Sequence, residues 1–122
     1  MQIEMHKHNG VQIVEVAAPD VALRTPQDVL DLFGNFFPEH VDGVILTEAN
    51  LPPEFFDLRT RLAGEMLQKF VNYGVKLAIV GDFSKYASKA LADFIRESNR
   101  GRQLYFVATR QEALERLAPV SS

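Results

Sequence analysis

Polar residues follow two apolar stretches of this sequence, and their side chains are the ones best placed to bind a ligand. Residues 44–46 are followed by Thr47 and Glu48, and residues 75–80 are followed, after a glycine, by Asp82, Ser84 and Lys85. In open α/β sheets, ligands bind beyond the carboxyl ends of parallel strands, where helix N-termini supply positive dipoles. These five residues are therefore a candidate ligand-binding site. In the alternative interpretation, Asp82, Ser84 and Ser88 turn the chain and cap the next helix.

An enzyme built on this sequence would have to work through carboxylates, hydroxyl groups or lysine. The sequence has three histidines and no cysteine, and it contains no phosphate-binding glycine loop, nucleophile elbow or H-E-x-x-H motif. Few nucleophile–base pairs can therefore be written. The enzymatic alternative is a small hydrolase- or lyase-type enzyme that uses Glu48, Asp82 and Lys85. We favour a binding module over this alternative.

The first strand carries the residues that could hold a metal ion. Glu4, His6 and His8 alternate and share one face, and imidazoles two residues apart can chelate zinc or copper when a third ligand joins them. A solvated polar face on an edge hairpin explains the same pattern and discourages edge-to-edge aggregation. We adopt that second interpretation and predict no metal and no cofactor.

Two pairs of phenylalanines form a candidate partner surface. Phe36-Phe37 and Phe55-Phe56 lie near predicted helix ends beside prolines. Adjacent residues on a helix cannot both face one core stripe, so we expect one member of each pair to be partly exposed. The alternative is that both pairs pack in the core or against loops.

The composition narrows the function classes and the compartment. Of 122 residues, 47% are hydrophobic and 24% are charged, as in ordinary globular proteins. A net charge of −3 supplies no positive field for nucleic acid. The absence of cysteine excludes disulfides and fits a reducing compartment. With no apolar core of a signal peptide and no apolar run near the roughly 20 residues of a membrane span, we expect a cytoplasmic protein without membrane insertion.

The hydrophobic pattern predicts an α/β fold of ββαβαβαβα order. Asn9-Gly10 favours a two-residue hairpin turn, in which His8 faces Val11, His6 faces Ile13 and Glu4 faces Glu15. Further strands are predicted at residues 44–46, 75–80 and 104–107. We expect a single mixed sheet of about five strands with an N-terminal antiparallel hairpin. Residues 1–118 are predicted to form one domain, with a frayed tail at 119–122.

Caps and apolar spacing predict four helices between and after these strands. Thr25 and Asp28 form a capping box at the start of the first helix. The longest helix is predicted from about Pro53 to Tyr73. A third helix is predicted after Lys85 from its apolar spacing. A second capping box, over residues 109–112, opens the last helix.

The chain resembles the bacterial family catalogued as domain of unknown function 4180. The similarity is densest over residues 55–65, 69–73, 76–84 and 93–101, and it continues to Glu112-Ala113-Leu114. It covers nearly the whole chain. As the name of the family states, this resemblance implies no established activity.

A more distant resemblance concerns the STAS-like domains related to the sporulation anti-sigma-factor antagonist. It lies in the strand at residues 76–82, the following helix, a phenylalanine-bearing strand and the closing Glu-Ala-Leu helix. This resemblance implies a small α/β module with ββαβαβαβα order that binds a protein partner or small ligand, with a homodimer as one expected form. The serine that carries the phosphoswitch in some of these domains is absent from residues 47–53, where Thr47 is a weak substitute.

Overall fold

The computed structural model describes residues 2–120, and its elements follow the predicted order. Within these residues the strands are β1 (Ile3–His8), β2 (Val11–Val16), β3 (Gly43–Thr47), β4 (Lys76–Val80) and β5 (Leu104–Val107). The α-helices are α1 (Pro26–Phe36), α2 (Leu62–Asn72), α3 (Lys89–Arg100) and α4 (Arg110–Leu117). Three short 3-10 helices, Glu48–Asn50, Pro53–Phe56 and Leu58–Thr60, lie between β3 and α2.

The strands form one mixed sheet in the sequential order β1-β2-β3-β4-β5. β1 is antiparallel to β2, and the other neighbours are parallel. The predicted fold class is therefore confirmed. Because the strand order never reverses, right-handed crossovers place α1, α2 and α3 on the same face. Their apolar side chains share one core with that face, and α4 packs alone on the other face.

The N-terminal hairpin has the register that its turn sequence predicts. His8 pairs with Val11, and His6 pairs with Ile13. Asn9 and Gly10 both have positive φ, at 51° and 80°, as a type I′ turn requires. The Asn9 side chain also donates a hydrogen bond to the carbonyl of Ala118 at 2.8 Å, which ties the turn to the end of α4.

The long helix predicted from about Pro53 to Tyr73 is wrong in its first half. Asp57 ends the 3-10 helix Pro53–Phe56, and its side chain caps the next one, Leu58–Thr60, by accepting a hydrogen bond from the N–H of Arg59. Arg61 then takes a left-handed conformation with φ +65°, so no α-helix continues through it. Leu58 and Leu62 stay on the apolar side through these turns. The apolar spacing therefore continued across a break that it could not reveal.

The starts of α1, α3 and α4 each have the predicted cap, but the capping box predicted for α4 forms only in part. The capping box at the start of α1 forms in both directions between Thr25 and Asp28. Ser88 caps α3 by accepting a hydrogen bond from the N–H of Leu91. At α4, the Thr109 hydroxyl accepts from the N–H of Glu112 at 3.1 Å, and only this half of the predicted box forms.

The end of the chain lies partly outside the described residues. Pro119 and Val120 follow α4 without regular structure, and Val120 is 80% exposed. Residues 121–122 of the predicted frayed tail fall outside the described range. Over residues 2–120, no helix has both the length and the apolar character needed to cross a membrane.

Candidate ligand-binding site

A pocket of about 240 Å³ opens at the carboxyl ends of β3 and β4. The chain segment after β3 and the loop after β4 reach the same edge of the sheet, since the two strands are parallel. The lining residues are Glu48, Ala49, Leu51, Pro53, Phe56, Lys85 and Tyr86. The pocket therefore combines one ion pair with a largely apolar wall.

The Glu48 carboxylate is the polar centre of this pocket. Lys85 Nζ lies 2.6 Å from Glu48 Oε2, and the Tyr86 hydroxyl donates a hydrogen bond to the same oxygen. The Glu48 side chain is 16% exposed, whereas that of Lys85 is 58% exposed. Glu48 is thus an anion held in place by two donors, and Lys85 is a cation that reaches into solvent.

Gly81 allows Glu48 to lie this close to the end of β4. A Cβ atom at Gly81 would lie 2.8 Å from Glu48 Cβ, 3.0 Å from Glu48 Oε1 and 3.3 Å from Phe83 Cζ. The first of these distances is too short for two carbon atoms to occupy without a shift. A residue with a side chain at this position would therefore displace Glu48.

Aromatic rings form one side of the pocket and hold Tyr86 in place. The rings of Phe56 and Tyr86 stack with centroids 5.0 Å apart and planes inclined by 18°. Burial raises the pKa of the Tyr86 hydroxyl, and its hydrogen bond to the Glu48 carboxylate raises it further. Tyr86 therefore stays protonated at neutral pH and remains a donor to Glu48.

Asn50 organises the backbone below the pocket. Among residues 2–120 it is the one polar residue that is buried, with 0% exposure. Its Nδ2 donates to the carbonyls of Ala18 and Asp20 at 2.9 and 3.0 Å, and its Oδ1 accepts from Thr47 N–H and hydroxyl at 2.9 and 3.0 Å. The bonds to Ala18 and Asp20 join the segment after β2 to the segment after β3, and the bonds from Thr47 hold the end of β3 next to Asn50.

The structure brings together only two of the five predicted ligand-binding residues. Glu48 and Lys85 form the ion pair, but Thr47 bonds to Asn50 instead of lining the pocket. Asp82 Oδ1 accepts from Ser84 Oγ at 2.6 Å and from Ser84 N–H at 3.1 Å, and both residues are exposed. These hydrogen bonds lower the pKa of Asp82. Asp82 and Ser84 therefore form a local turn, as the alternative interpretation proposed.

The two phenylalanine pairs differ, and the structure corrects the partner-surface role for one of them. Phe55 and Phe56 are 2% and 5% exposed, because their 3-10 turn packs both rings against the core below the three helices. In the other pair, Phe36 is buried and Phe37 is 81% exposed. Phe37 is the one of the four that presents a large apolar surface to solvent.

Phe37 lies on a groove of about 420 Å³ at the amino ends of β3 and β4. The groove lies between the ends of α1 and α2. It is lined by Leu30, Phe33, Gly34, Phe36, Phe37, Glu39, His40, Val41, Tyr73 and Val75. Tyr73 is 60% exposed, and its ring lies 5.1 Å from that of Phe33.

The polar face of the hairpin is a hydrogen-bonded network. His6 Nε2 lies 2.8 Å from Glu15 Oε1, and Arg110 donates to both carboxylate oxygens of Glu15, with Nε 2.8 Å from Oε2. The hydrogen bonds from Arg110 lower the pKa of Glu15 most, and His6 adds to the effect against the opposing influence of burial. In residues 2–120, no group of three or more His, Cys, Asp or Glu side chains could hold a metal ion. Glu4 and His8 are not joined to His6 in such a group.

Three residues of the site were not singled out from the sequence. Gly81 carries a weak signal, since a glycine directly after a buried strand often marks close backbone approach. Tyr86 and Asn50 carry none, because their partners Glu48 and Ala18 lie more than thirty positions away along the chain.

Comparison with known proteins identifies a family without a described activity. The model of the family described as Domain of unknown function (DUF4180) matches residues 8–117. No curated protein and no solved structure matches the chain.

Proposed function

The chain belongs to the family described as Domain of unknown function (DUF4180). Because that description names no activity, we propose the function of the chain from its own side chains. The proposed function is that of a non-enzymatic, STAS-like binding module with a regulatory role. Its ligand is a small molecule, and the ligand site is the pocket of Glu48, Lys85 and Tyr86.

One observation carries this proposal. The Glu48 carboxylate is fixed by two donors at the mouth of a cavity with an apolar wall, and the cation that neutralises it is mostly solvent-exposed. Small-molecule sites commonly combine apolar walls with a few convergent polar groups. Larger cavities occur elsewhere, including one of about 630 Å³ between α3 and α4. The three arginines that line it already have partners, which are Asp93 for Arg96, Glu97 for Arg100 and the carbonyl of Asn99 for Arg116.

The position of Asp82 favours binding over catalysis. The enzymatic alternative needs Glu48, Asp82 and Lys85 to act on one substrate. Asp82 is held by Ser84 in an exposed turn and does not line the pocket. The three side chains that this alternative requires are therefore not assembled around one substrate.

The architecture supports the STAS-like part of the proposal. The chain has the ββαβαβαβα order of those modules, with the hairpin at one edge of the sheet. The segment after β3 contains no serine that could act as a phosphoswitch. Ligand binding is therefore the proposed input, and the cytoplasm is the proposed compartment because the sequence has no cysteine.

The proposal is tested by mapping where small molecules bind. Isotope-labelled protein is titrated with a set of neutral, cationic, anionic and zwitterionic fragments, and backbone amide signals are followed by NMR. We expect the hits to move the signals of Ala49, Gly81 and Tyr86. Hits confined to the amino-end groove, or no hits at all, would contradict the proposal.

A matched pair of glycine variants serves as control in this experiment. Gly81→Ala places a methyl group against Glu48 and is expected to abolish the pocket signals. Gly64→Ala, on the exposed side of α2, has no atom within 4 Å of the added carbon and is expected to leave them unchanged.

The exposure of Phe37 favours a second candidate function, a contact between two copies of this chain. An isologous dimer places the same patch of both copies together, so an exposed phenylalanine beside Tyr73 covers its own counterpart. Glu39 and His40 supply a polar rim around this apolar patch. Analytical ultracentrifugation is expected to show a concentration-dependent dimer that Phe37→Ser abolishes; a monomer at all concentrations would contradict this candidate.

A further inference from the structure

The Glu48–Lys85 pair presents a negative and a positive group side by side to the pocket. We propose that the pocket binds a small zwitterion, a molecule with one ammonium and one carboxylate group and the size of a free amino acid. This inference rests on the proposed function and names the chemical class of its ligand.

Both members of the ion pair retain unused hydrogen-bonding capacity. Lys85 and Tyr86 both bond to Oε2 of Glu48, and no donor within the described residues reaches Oε1. No side-chain oxygen or nitrogen in residues 2–120 is both fully buried and without a partner, so the unpartnered Oε1 keeps some accessible surface. An ammonium group has three donors, and Lys85 uses one of them on Glu48. Oε1 can thus accept from a ligand ammonium while Lys85 donates to a ligand carboxylate.

The sum of charges explains why the ligand carries both signs. A ligand with only an ammonium group would be attracted by Glu48 but repelled by Lys85 at nearly the same distance. A ligand with only a carboxylate would meet the reverse. A zwitterion that lies beside the pair, with its ammonium group at Glu48 and its carboxylate at Lys85, gains both attractions, and the site remains neutral.

The two charged residues have different parts in binding. The hydrogen bond from Tyr86 holds Glu48, so its carboxylate is already oriented before a ligand arrives. Lys85 is exposed, and an ion pair with an exposed partner contributes little to stability. Lys85 can therefore turn toward a ligand carboxylate without weakening the fold.

The size and lining of the pocket set the rest of the ligand. A volume of about 240 Å³ corresponds to about eight water molecules at roughly 30 Å³ each. Leu51, Pro53 and the stacked ring of Phe56 offer an apolar wall beside the ion pair. A short aliphatic side chain satisfies this wall, and leucine has both charged groups and about the right number of atoms.

The test compares three probes that share one aliphatic body. Leucine carries both charges, 3-methylbutylamine carries only the cation and 4-methylpentanoate carries only the anion. Each is titrated at neutral pH into the isotope-labelled full chain, and the amide signals of Gly81 and Tyr86 are followed. Leucine is expected to bind about tenfold more tightly than either single ion.

Two substitutions are expected to change which of the single ions binds more tightly. Glu48→Gln removes the negative group, so the variant should lose leucine binding by about tenfold and prefer 4-methylpentanoate to 3-methylbutylamine. Lys85→Gln should show the opposite preference. Lys89→Gln, which removes an exposed lysine paired with Asp93 on α3, is the matched control and should bind like the unchanged protein.

The outcomes separate this inference from the function on which it rests. Equal binding of all three probes, or tighter binding of a single ion, would overturn the zwitterion while leaving a ligand site in place. If none of the three probes moves the signals, the zwitterion is likewise overturned. Fragment mapping then decides separately whether the pocket binds any small molecule.

Discussion

The two ends of the parallel strands carry opposite kinds of surface. At the carboxyl ends, Glu48 is neutralised by Lys85 within a pocket, and both Phe55 and Phe56 are buried. At the amino ends, Phe37 and Tyr73 are largely exposed. Charged groups are therefore matched within the protein at one end, whereas apolar groups are uncovered at the other.

This contrast follows from the direction of the chain. Helices that cross between parallel strands end at the amino edge of the sheet, so residues just beyond their last turns collect there. Phe37 and Tyr73 directly follow α1 and α2 and take non-helical conformations. Both residues therefore lie beyond the last position of their helix's apolar stripe. Position relative to the end of a helix, more than residue type, therefore decides that Phe36 is buried and Phe37 is exposed.

Truncating one phenylalanine at each end gives the largest expected difference. Phe56→Ala is expected to lower the free energy of unfolding by about 3–5 kcal/mol, since it leaves a cavity in the core. Phe37→Ala is expected to change it by less than about 0.5 kcal/mol, because the ring is exposed. Urea denaturation followed by circular dichroism measures both values. Similar losses for the two variants would show that the contrast between the ends is wrong.

Removing the Asn50 side chain tests how the carboxyl end is organised. Asn50→Ala deletes the four hydrogen bonds of a fully buried side chain and leaves backbone groups of Thr47, Ala18 and Asp20 without that partner, so we expect a loss of about 2–3 kcal/mol. The control is Asn35→Ala on the exposed side of α1, where one hydrogen bond to Asp31 is lost and the change should stay within about 0.5 kcal/mol. Thermal unfolding of both variants provides the measurement. Equal shifts would mean that Asn50 does not hold these segments together.

Acidic pH should weaken the contact between Arg110 at the start of α4 and Glu15, but not the contact between Ala118 at its end and Asn9. The pKa of Glu15 is lowered from 4.5, chiefly by hydrogen bonds from Arg110, so the stability that it contributes is present above pH 4.5 and is lost as the pH falls through its folded-state value. Arg110→Gln should remove this part of the pH dependence and cost about 1 kcal/mol at neutral pH. The contact between Asn9 and Ala118 at the other end is neutral. Asn9→Gly, which keeps the positive φ, should lower stability equally at all pH values.

Urea unfolding measured between acidic and neutral pH distinguishes these two variants. If Arg110→Gln loses as much stability on acidification as the unchanged protein, Glu15 is not the group responsible.

Local signals in the sequence were enough to predict the fold. The Asn9-Gly10 turn fixed the hairpin register, and the capping box at Thr25 placed the start of α1. Both depend on neighbours within a few residues. The break before α2 was missed because it depends on the backbone conformation of a single residue, Arg61, which the apolar spacing does not report.

The candidate site was predicted only in part, for a related reason. The carboxyl ends of the strands indicated the correct edge, and Glu48 and Lys85 do meet there. Asp82 was included because it follows the same strand, but a short carboxylate bonds more readily to an N–H two residues on. Tyr86 could not be found, since the stacking on Phe56 that directs its hydroxyl to Glu48 is a tertiary contact.

A crystal structure of the protein grown with leucine would show directly whether the pocket of Glu48 and Lys85 binds a zwitterion. We predict density for one leucine in the carboxyl-end pocket, with its ammonium group at Oε1 of Glu48 and its carboxylate at Nζ of Lys85. Leucine found instead in the amino-end groove beside Phe37, or an empty carboxyl-end pocket at saturating leucine, would show that this pocket is not a zwitterion site.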